Sequence, residues 1–272
     1  MNLGALEEIR AHLQFAPAQV VIYLEGKTDV EPFFALLGRT APRDGLHQGV
    51  FVKGLRDQGS GGLAVGARVD AAGRLSFPGV FGLIDGDGQP LTTLSPTFDH
   101  PFAGPLFTWK AYCIENLLAM TGWPSTWGAE PDWPVALTDY GPYVALNRIH
   151  VELQSTLDVL SVAKRNNPIS GQPLKTSQDV LADLSHDRHR LLNYDVAQRF
   201  QNELQVYQAA LQNQLDEAHA MLNGKWLFSH LAPVITGQNP DRCRSDWIAH
   251  AISAGGLAEV RSLWQRITGA TP

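Results

Sequence analysis

Three short apolar runs without polar alternation most constrain how this chain folds. The runs are "VVIYL" from Val20, "VFV" from Val50 and "VFGLI" from Val80. Runs of β-branched and large apolar residues indicate strands that are buried on both faces, as in a parallel sheet. Stretches with helical spacing lie between the runs. The first part of the chain therefore predicts strands and helices that alternate around a parallel sheet.

Helices are expected before, between and after these strands. An opening helix is indicated by apolar residues at three- and four-residue spacing, namely Leu3, Leu6, Ile9 and Leu13. The segments "VEPFFALLG" and "GGLAVGARVDAAGRL" predict two crossover helices. The segment "PLFTWKAYCIENLLA" predicts one more strand that runs into a helix. The predicted class is α/β, with helices flanking the sheet.

The composition changes after about residue 120. Residues 121–143 are rich in Trp, Pro and Gly and are expected to form an irregular connection. One long amphipathic helix is predicted from Val196 to about Asn223, and further helices in "GKWLFSHLAPVI" and "GGLAEVRSLWQRI". We therefore expect a sheet domain over residues 1–120 and a mainly helical substrate- or partner-binding region over residues 121–272.

Charge and cysteine content narrow the classes of function. The 272 residues carry 21 Lys and Arg against 27 Asp and Glu, a net charge of -6, which disfavours nucleic-acid binding through bulk positive charge. Cys113 and Cys243 lack the spacing of a zinc site or a disulfide framework and are expected to be reduced thiols in a cytoplasmic protein. Neither a signal peptide nor an apolar run of ~18 residues is recognisable, so no membrane association is expected.

Acidic residues follow two of the predicted strands where each strand ends. Glu25 and Gly26 follow the first strand, and Asp85 and Asp87 follow the third in "DGDG". Because parallel strands place ligand sites at their carboxyl ends, these acids are expected to lie close together. Neighbouring carboxylates repel one another unless a cation lies between them. Oxygen ligands alone favour Mg²⁺ or Mn²⁺, so the pattern predicts a divalent metal site.

Each half of this pattern also has a purely structural interpretation. Asp-Gly is a common dipeptide of hairpin turns. A Glu-Gly pair is able to cap the next helix and to relieve a tight turn. The occurrence of both after fully apolar strands favours the metal site over two separate turns.

These segments resemble the Toprim domain, a metal-binding fold shared by topoisomerases, bacterial primases and nucleases of the OLD (overcoming lysogenisation defect) family. The similarity lies in "YLEGKTDV" and "VFGLIDGDG". A third segment, "YCIENLLA", is similar to the OLD-like branch and its small stand-alone relatives, which often act beside an ABC-type ATPase in antiphage defence. The resemblance covers about the first 120 residues well and the rest loosely. It implies a Toprim-like, Rossmann-like sheet.

The resemblance implies a role for five acids. Glu25 corresponds to the invariant acid, a metal ligand or proton-transfer group, and Asp85 and Asp87 correspond to the metal-binding pair. Asp29 and Glu115 correspond to acids that would hold a second ion. Such a set implies two-metal hydrolysis of a phosphodiester bond.

Lys225, in "NGKWLF", corresponds to a lysine that such nucleases carry after the acidic motifs. It would offset negative charge that develops on the phosphoryl group. A cation that offsets a helix dipole is its equally open structural interpretation. Two departures from the family pattern, Leu117 after the Asn and Gly86 between the aspartates, leave all carboxylates in place.

Other candidate segments have simpler interpretations. "RDQGSGGLAVG" lacks the residue order of a nucleotide-binding P-loop and predicts a turn before a helix. "HDRHR", from His186 to Arg190, is expected to be a polar loop. A phosphate-backbone track is expected, if anywhere, among the basic residues of the helical region, which are Lys164, Arg165, Lys175, Arg188 and Arg190.

Together these patterns predict a metal-dependent nuclease that acts on DNA or RNA, in the context of antiphage defence. The alternative is a Toprim-fold interaction subunit, non-catalytic or conditionally inactive, of an ATPase-containing complex. That alternative is motivated by the apolar stripe of the long helix, Val196 to Leu215. The choice between DNA and RNA, and whether the chain forms a homo-oligomer, stay open. The chain lacks room for the additional domains of a complete topoisomerase or primase.

Overall fold

The computed structural model of the chain describes residues 3–15, 20–55, 61–89, 105–152, 167–168, 171–186 and 195–272. The chain divides into two compact units. The sheet unit comprises Met1–Gly86, Thr92–Gly122 and Trp247–Pro272, and the helical unit comprises Asp87–Leu91 and Trp123–Asp246. In this grouping the C-terminal end of the chain belongs to the sheet unit. The division at residue 120 into catalytic and binding regions stays a prediction about function.

A five-stranded sheet forms the centre of the sheet unit. Its strands are β1 (Val20–Leu24), β2 (Leu46–His47), β3 (Val50–Gly54), β4 (Val80–Ile84) and β5 (Leu106–Thr108). Their spatial order is β2-β3-β1-β4-β5. All neighbouring pairs are parallel except β2 with β3. The predicted α/β class with a mainly parallel sheet is therefore confirmed, and the short antiparallel edge strand β2 is an addition that the sequence did not predict.

Helices make up most of the remaining described chain. In order, the α-helices of the described residues are α1 (Leu3–Phe15), α2 (Val30–Leu36), α3 (Gly61–Arg74), α4 (Ile114–Ala119), α5 (Trp133–Thr138), α6 (Gly141–Glu152), α7 (Ser177–His186), α8 (Val196–Asn213), α9 (Leu215–Met221), α10 (Ala232–Thr236), α11 (Pro240–Ser253) and α12 (Ala258–Thr268). Short 3₁₀ turns occupy Lys27–Asp29 and Ser125–Trp127, and a π-helical turn occupies Leu227–Leu231. In the described part of the chain, none of the helices combines the length and the apolar character needed to cross a membrane.

Strand β1 is buried on both faces, as its apolar run predicts. Its residues Val21 to Leu24 are each at most 1% exposed. Successive side chains of a strand point to opposite faces. Val21 and Tyr23 belong to a core cluster with residues of α1 and α3. A group of aromatic side chains also lies in the core of this unit. Its members are Phe33, Phe34, Trp109 and Trp264, whose rings contact one another.

The strand order creates a switch point beside β1. The chain passes from β1 through α2 to β3, and then through α3 to β4 on the opposite side of β1. In open α/β sheets, ligands bind outside the carboxyl ends of the strands where the order reverses in this way. Glu25 and Asp85 directly follow the two strands at this reversal.

The helical unit is built around α8. The apolar stripe of this helix is buried, and its members are Val196, Phe200, Leu204, Tyr207, Ala210 and Leu211. Part of it forms a core cluster with residues of α6 and α7. The Tyr207 hydroxyl also donates a hydrogen bond to the Leu137 carbonyl at 3.1 Å. The stripe is therefore a core face of its own unit and not an unpartnered surface.

Two expectations about the second half of the chain were wrong. Residues 121–143 contain α5 and the start of α6, because Pro134 and Pro142 lie in the first turns of these helices, where a missing backbone N–H costs little. Asp132 also caps α5 by accepting a hydrogen bond from the Val135 N–H. The long helix expected up to Asn223 is two helices, since Gln214 leaves the helical conformation at φ -147° and ψ 72°.

Candidate metal centre

Glu25 lies at the switch point, one residue beyond β1. The β1–β4 register pairs Leu24 with Leu83, so the two strands end side by side. The backbone N–H of Asp85 donates a hydrogen bond to Oε1 of Glu25 at 2.9 Å. The structure thus brings together the first acid of each of the two predicted acidic motifs.

The first turn of α3 lies against the Glu25 carboxylate. A Cβ on Gly61 would lie 2.3 Å from Oε2 of Glu25, and a Cβ on Gly62 would lie 3.2 Å from Oε1. A side chain at Gly61 would force the Glu25 carboxylate to move, whereas one at Gly62 would make only a tight contact with it. The amino end of a helix carries partial positive charge, so this position favours an ionised carboxylate. The glycine pair was visible in the sequence, but its relation to Glu25 was not.

Asp29 has a local role beside Glu25. One of its carboxylate oxygens accepts a hydrogen bond from the Gly26 N–H at 2.7 Å. This bond closes the 3₁₀ turn that follows β1. Asp29 therefore shapes the turn that carries Glu25, and its assignment to a second ion stays a prediction.

Glu115 is a buried acid on α4, only 5% exposed. Its Oε2 is enclosed and has no hydrogen-bond partner among the described residues. The segment leading to α4 is tied to the end of β4, because the Gly86 N–H donates to the Ala111 carbonyl at 3.1 Å. A buried carboxylate oxygen without a partner is costly. Glu115 is therefore the predicted ligand of the sheet unit that has a buried oxygen without a hydrogen-bond partner in the described ranges.

Asp87 begins the helical unit. Desolvation raises the pKa of its carboxyl, although part of the side chain stays exposed, and the positive charges of Lys225 and His150 act in the opposite direction. Lys225 therefore lies within electrostatic range of one of the predicted metal ligands. His150 was not predicted, since nothing in the sequence around it distinguishes it from an ordinary helical residue.

The donor chemistry fits a hard divalent cation. Carboxylate oxygens are the ligands that Mg²⁺ and Mn²⁺ prefer. The Glu25 carboxylate contacts the backbone N–H of Asp85, and Glu115 offers an oxygen without a hydrogen-bond partner in the described part of the chain. In the described ranges no three His, Cys, Asp or Glu side chains are already gathered around one point. Metal binding therefore stays a prediction that would require some rotation of these side chains.

Most of the basic residues that were predicted to contact a phosphate backbone lie outside the described residues. This applies to the side chains of Lys164, Arg165, His186, Arg188 and Arg190. Lys175 is described, and its Nζ lies 2.8 Å from a carboxylate oxygen of Asp183. An acidic neighbour weakens the attraction of this lysine for phosphate. Lys175 therefore contributes little to binding a nucleic-acid backbone.

The helical unit also contains a cavity of about 610 Å³. Tyr140, Lys175, Leu204 and His230 are among the residues that line it, and the described lining includes neither Lys225 nor any of the five predicted metal ligands. His230 is engaged within the fold, since its Nδ1 lies 2.7 Å from the Tyr140 hydroxyl and its Nε2 donates to the Gln172 carbonyl at 3.1 Å. Asp139 is the one acid among the described residues that line this cavity, so the cavity offers no second group of acids there.

Comparison of the chain with protein-family models, with curated proteins and with solved structures finds no significant match.

Proposed function

We propose that this chain is a Mg²⁺- or Mn²⁺-dependent nuclease whose sheet unit is Toprim-like. The observation that supports the proposal is the hydrogen bond from the Asp85 N–H to Glu25 at the switch point of a mainly parallel sheet. Binding sites of such sheets lie at this place. The buried Glu115 oxygen, which has no hydrogen-bond partner among the residues that the structure describes, supports the proposal, because a cation would compensate its burial.

The predicted residues divide into metal ligands and a phosphate-directed cation. Glu25, Asp85 and Asp87 would hold one ion, and Asp29 and Glu115 are the candidates for a second. Mg²⁺ or Mn²⁺ held there would supply Lewis-acid stabilisation of the phosphoryl oxygens and a water of lowered pKa. Glu25 is also a candidate to accept the proton of the attacking water. Lys225, within electrostatic range of Asp87, would stabilise negative charge on the phosphoryl group.

The interaction-subunit alternative has less support than the nuclease. It was motivated by the α8 stripe, and that stripe is buried in the core of its own unit. An ABC-type ATPase partner and a role in antiphage defence stay predictions that rest on the family resemblance. Size-exclusion chromatography with light scattering, with and without nucleic acid, would show whether the chain self-associates.

The proposal is tested by a cleavage assay. Purified protein is incubated with plasmid DNA, single-stranded DNA and tRNA in Mg²⁺ or Mn²⁺, beside Glu25→Ala and Asp85→Ala. We expect wild-type cleavage that EDTA abolishes. Each substitution should lower the rate by at least about 100-fold, because even groups behind a metal ligand are worth about 10- to 100-fold.

Asp70→Ala is the matched control, since Asp70 is an exposed acid of α3 in the same unit. It should retain the wild-type rate. Cleavage that persists in both site variants, or that is indifferent to EDTA, would show that the activity does not come from this site.

A further inference from the structure

The turn that contains Asp87 has an unusual backbone. Asp87 has φ +49° and Gly88 has φ +74°, so two consecutive residues are left-handed. For a residue other than glycine this conformation costs about 1 kcal/mol or more. Such a turn persists when neighbouring groups hold it in place.

Arg148, near the end of α6, is the group that holds this turn. Its Nη1 donates a hydrogen bond to the Gly88 carbonyl at 2.7 Å. The contact is made to the backbone directly after Asp87. It therefore restrains the Gly88–Gln89 peptide unit, which directly follows the two left-handed residues.

Glu203, on α8, binds the same guanidinium group through a different nitrogen atom. The Arg148 Nε donates to Oε2 of Glu203, and the two side chains are only 18% and 17% exposed. The rigid fork of a guanidinium group allows it to bind a carboxylate and a carbonyl at once, which the ammonium group of lysine does less well.

We infer that Arg148 is a positioning residue for Asp87. Glu203 holds the Arg148 guanidinium group in place, and Arg148 sets the orientation of the Asp87 carboxylate through its hydrogen bond to the Gly88 carbonyl. Its effect on metal binding rests on the proposed function, in which Asp87 is a ligand. Its effect on the turn does not depend on that function. Arg148 lay outside every sequence motif, because its partners are distant in the chain.

The test compares Arg148→Met, Arg148→Lys and Glu203→Gln with Arg242→Met. Arg242, which is itself exposed, forms an ion pair with Asp246 at 2.9 Å, so its removal controls for the loss of an arginine–carboxylate pair. Circular dichroism checks that each variant is folded. Hydrogen-exchange mass spectrometry follows the peptide spanning residues 85–89, and electron paramagnetic resonance measures Mn²⁺ binding without requiring cleavage.

In Arg148→Met, exchange in residues 85–89 should be about tenfold faster, the size expected for loss of a charge-assisted hydrogen bond. The Mn²⁺ concentration for half-saturation should rise about 10- to 100-fold. Arg148→Lys should show smaller changes than Arg148→Met in both exchange and Mn²⁺ binding. Glu203→Gln should also speed exchange and weaken Mn²⁺ binding. Arg242→Met should match the wild type in both measurements.

Unchanged exchange in Arg148→Met would overturn the inference. Faster exchange with unaltered Mn²⁺ binding, or a wild type that binds no Mn²⁺, would also overturn it, because Arg148 would then support the fold alone. If Mn²⁺ binding depends on Arg148 but the wild type cleaves no substrate, the inference stands and the nuclease proposal fails. Should Arg148→Met not fold, Glu203→Gln provides the same comparison.

Discussion

The carboxylate of Glu25 is held on two sides within the sheet unit. One oxygen accepts a hydrogen bond from the Asp85 N–H, and the other lies against the first turn of α3. Both neighbours present partial positive charge, so they favour the ionised acid at the end of a buried strand. The position of Glu25 therefore depends on the absence of a side chain at Gly61.

Gly61→Ala tests this dependence. The new Cβ would lie 2.3 Å from Oε2 of Glu25 and would displace its carboxylate. We expect a loss of about 1 to 3 kcal/mol in the free energy of unfolding, which is typical of overpacking. Cleavage should fall about tenfold or more, as for other changes that misplace a ligand. Urea denaturation and the cleavage assay measure the two effects.

Gly66→Ala is the matched control on the same helix. A Cβ at Gly66 meets nothing within 4 Å, so alanine should raise stability by about 0.5 to 1 kcal/mol and leave cleavage unchanged. Equal behaviour of the two variants would show that the approach of α3 to Glu25 has no functional role.

At the scale of elements, a polar network connects α1 to the sheet and to α3. Glu8 accepts hydrogen bonds from Lys53 Nζ at 2.6 Å and from Arg68 Nε at 2.9 Å. The Tyr23 hydroxyl donates to the same carboxylate at 3.3 Å, and the Arg68 guanidinium lies 5.7 Å from the centre of the Tyr23 ring. Glu8 thus joins α1 to residues of β1, β3 and α3.

Glu8→Gln should weaken this connection in a pH-dependent way. Burial, the largest single influence, raises the pKa of Glu8, but hydrogen bonds and charges from Lys53 and Arg68 outweigh it and hold the pKa below its usual value. A lowered folded-state pKa contributes stability above the unfolded value of about 4.3, and this contribution is lost as the pH falls through the folded value.

We therefore expect Glu8→Gln to lower the free energy of unfolding by about 1 to 2 kcal/mol at pH 7. The difference from wild type should shrink below about pH 4. Urea denaturation between pH 3 and pH 7 measures it. Glu7→Gln, at the exposed neighbouring position, should change little at any pH. A difference that stays constant over this range would exclude the ionised carboxylate as the cause.

Elements with one dominant signal were predictable from the sequence. The apolar runs of β1, β3 and β4 and the periodicity of α1 and α12 all correspond to observed elements. Helix α5 was not predictable from composition, because proline and glycine favour irregular structure, whereas Pro134 lies in the first turn of the helix, where proline is tolerated. Strand β2 has two residues, and so short a strand depends on its neighbour β3 and has no pattern of its own.

At the scale of the whole molecule, the net charge of -6 limits how nucleic acid is bound. Affinity that came from many phosphate contacts would fall steeply with salt, with a slope of about -0.9 per neutralised phosphate. We expect the slope of log affinity against log salt to be no steeper than about -3 for Glu25→Gln, which should bind without cleaving. Fluorescence anisotropy with a labelled oligonucleotide measures it.

The same titration without divalent ion provides the control, and binding should weaken markedly there because metal would bridge the acids to phosphate. A steep slope, together with indifference to the ion, would indicate a basic surface and contradict this view of recognition.

The sequence by itself determined the strand cores, the α/β class and the placement of acids at strand ends, because these depend on local composition and on the alternation of strands and helices. Only the tertiary structure decided that Glu25 accepts a hydrogen bond from the Asp85 N–H and lies against Gly61, and that Arg148 donates to the Gly88 carbonyl. It also decided that a buried oxygen of Glu115 has no hydrogen-bond partner within the described ranges. These contacts join residues far apart in the chain, and their energies arise when packing brings the groups within hydrogen-bond distance and removes water around them.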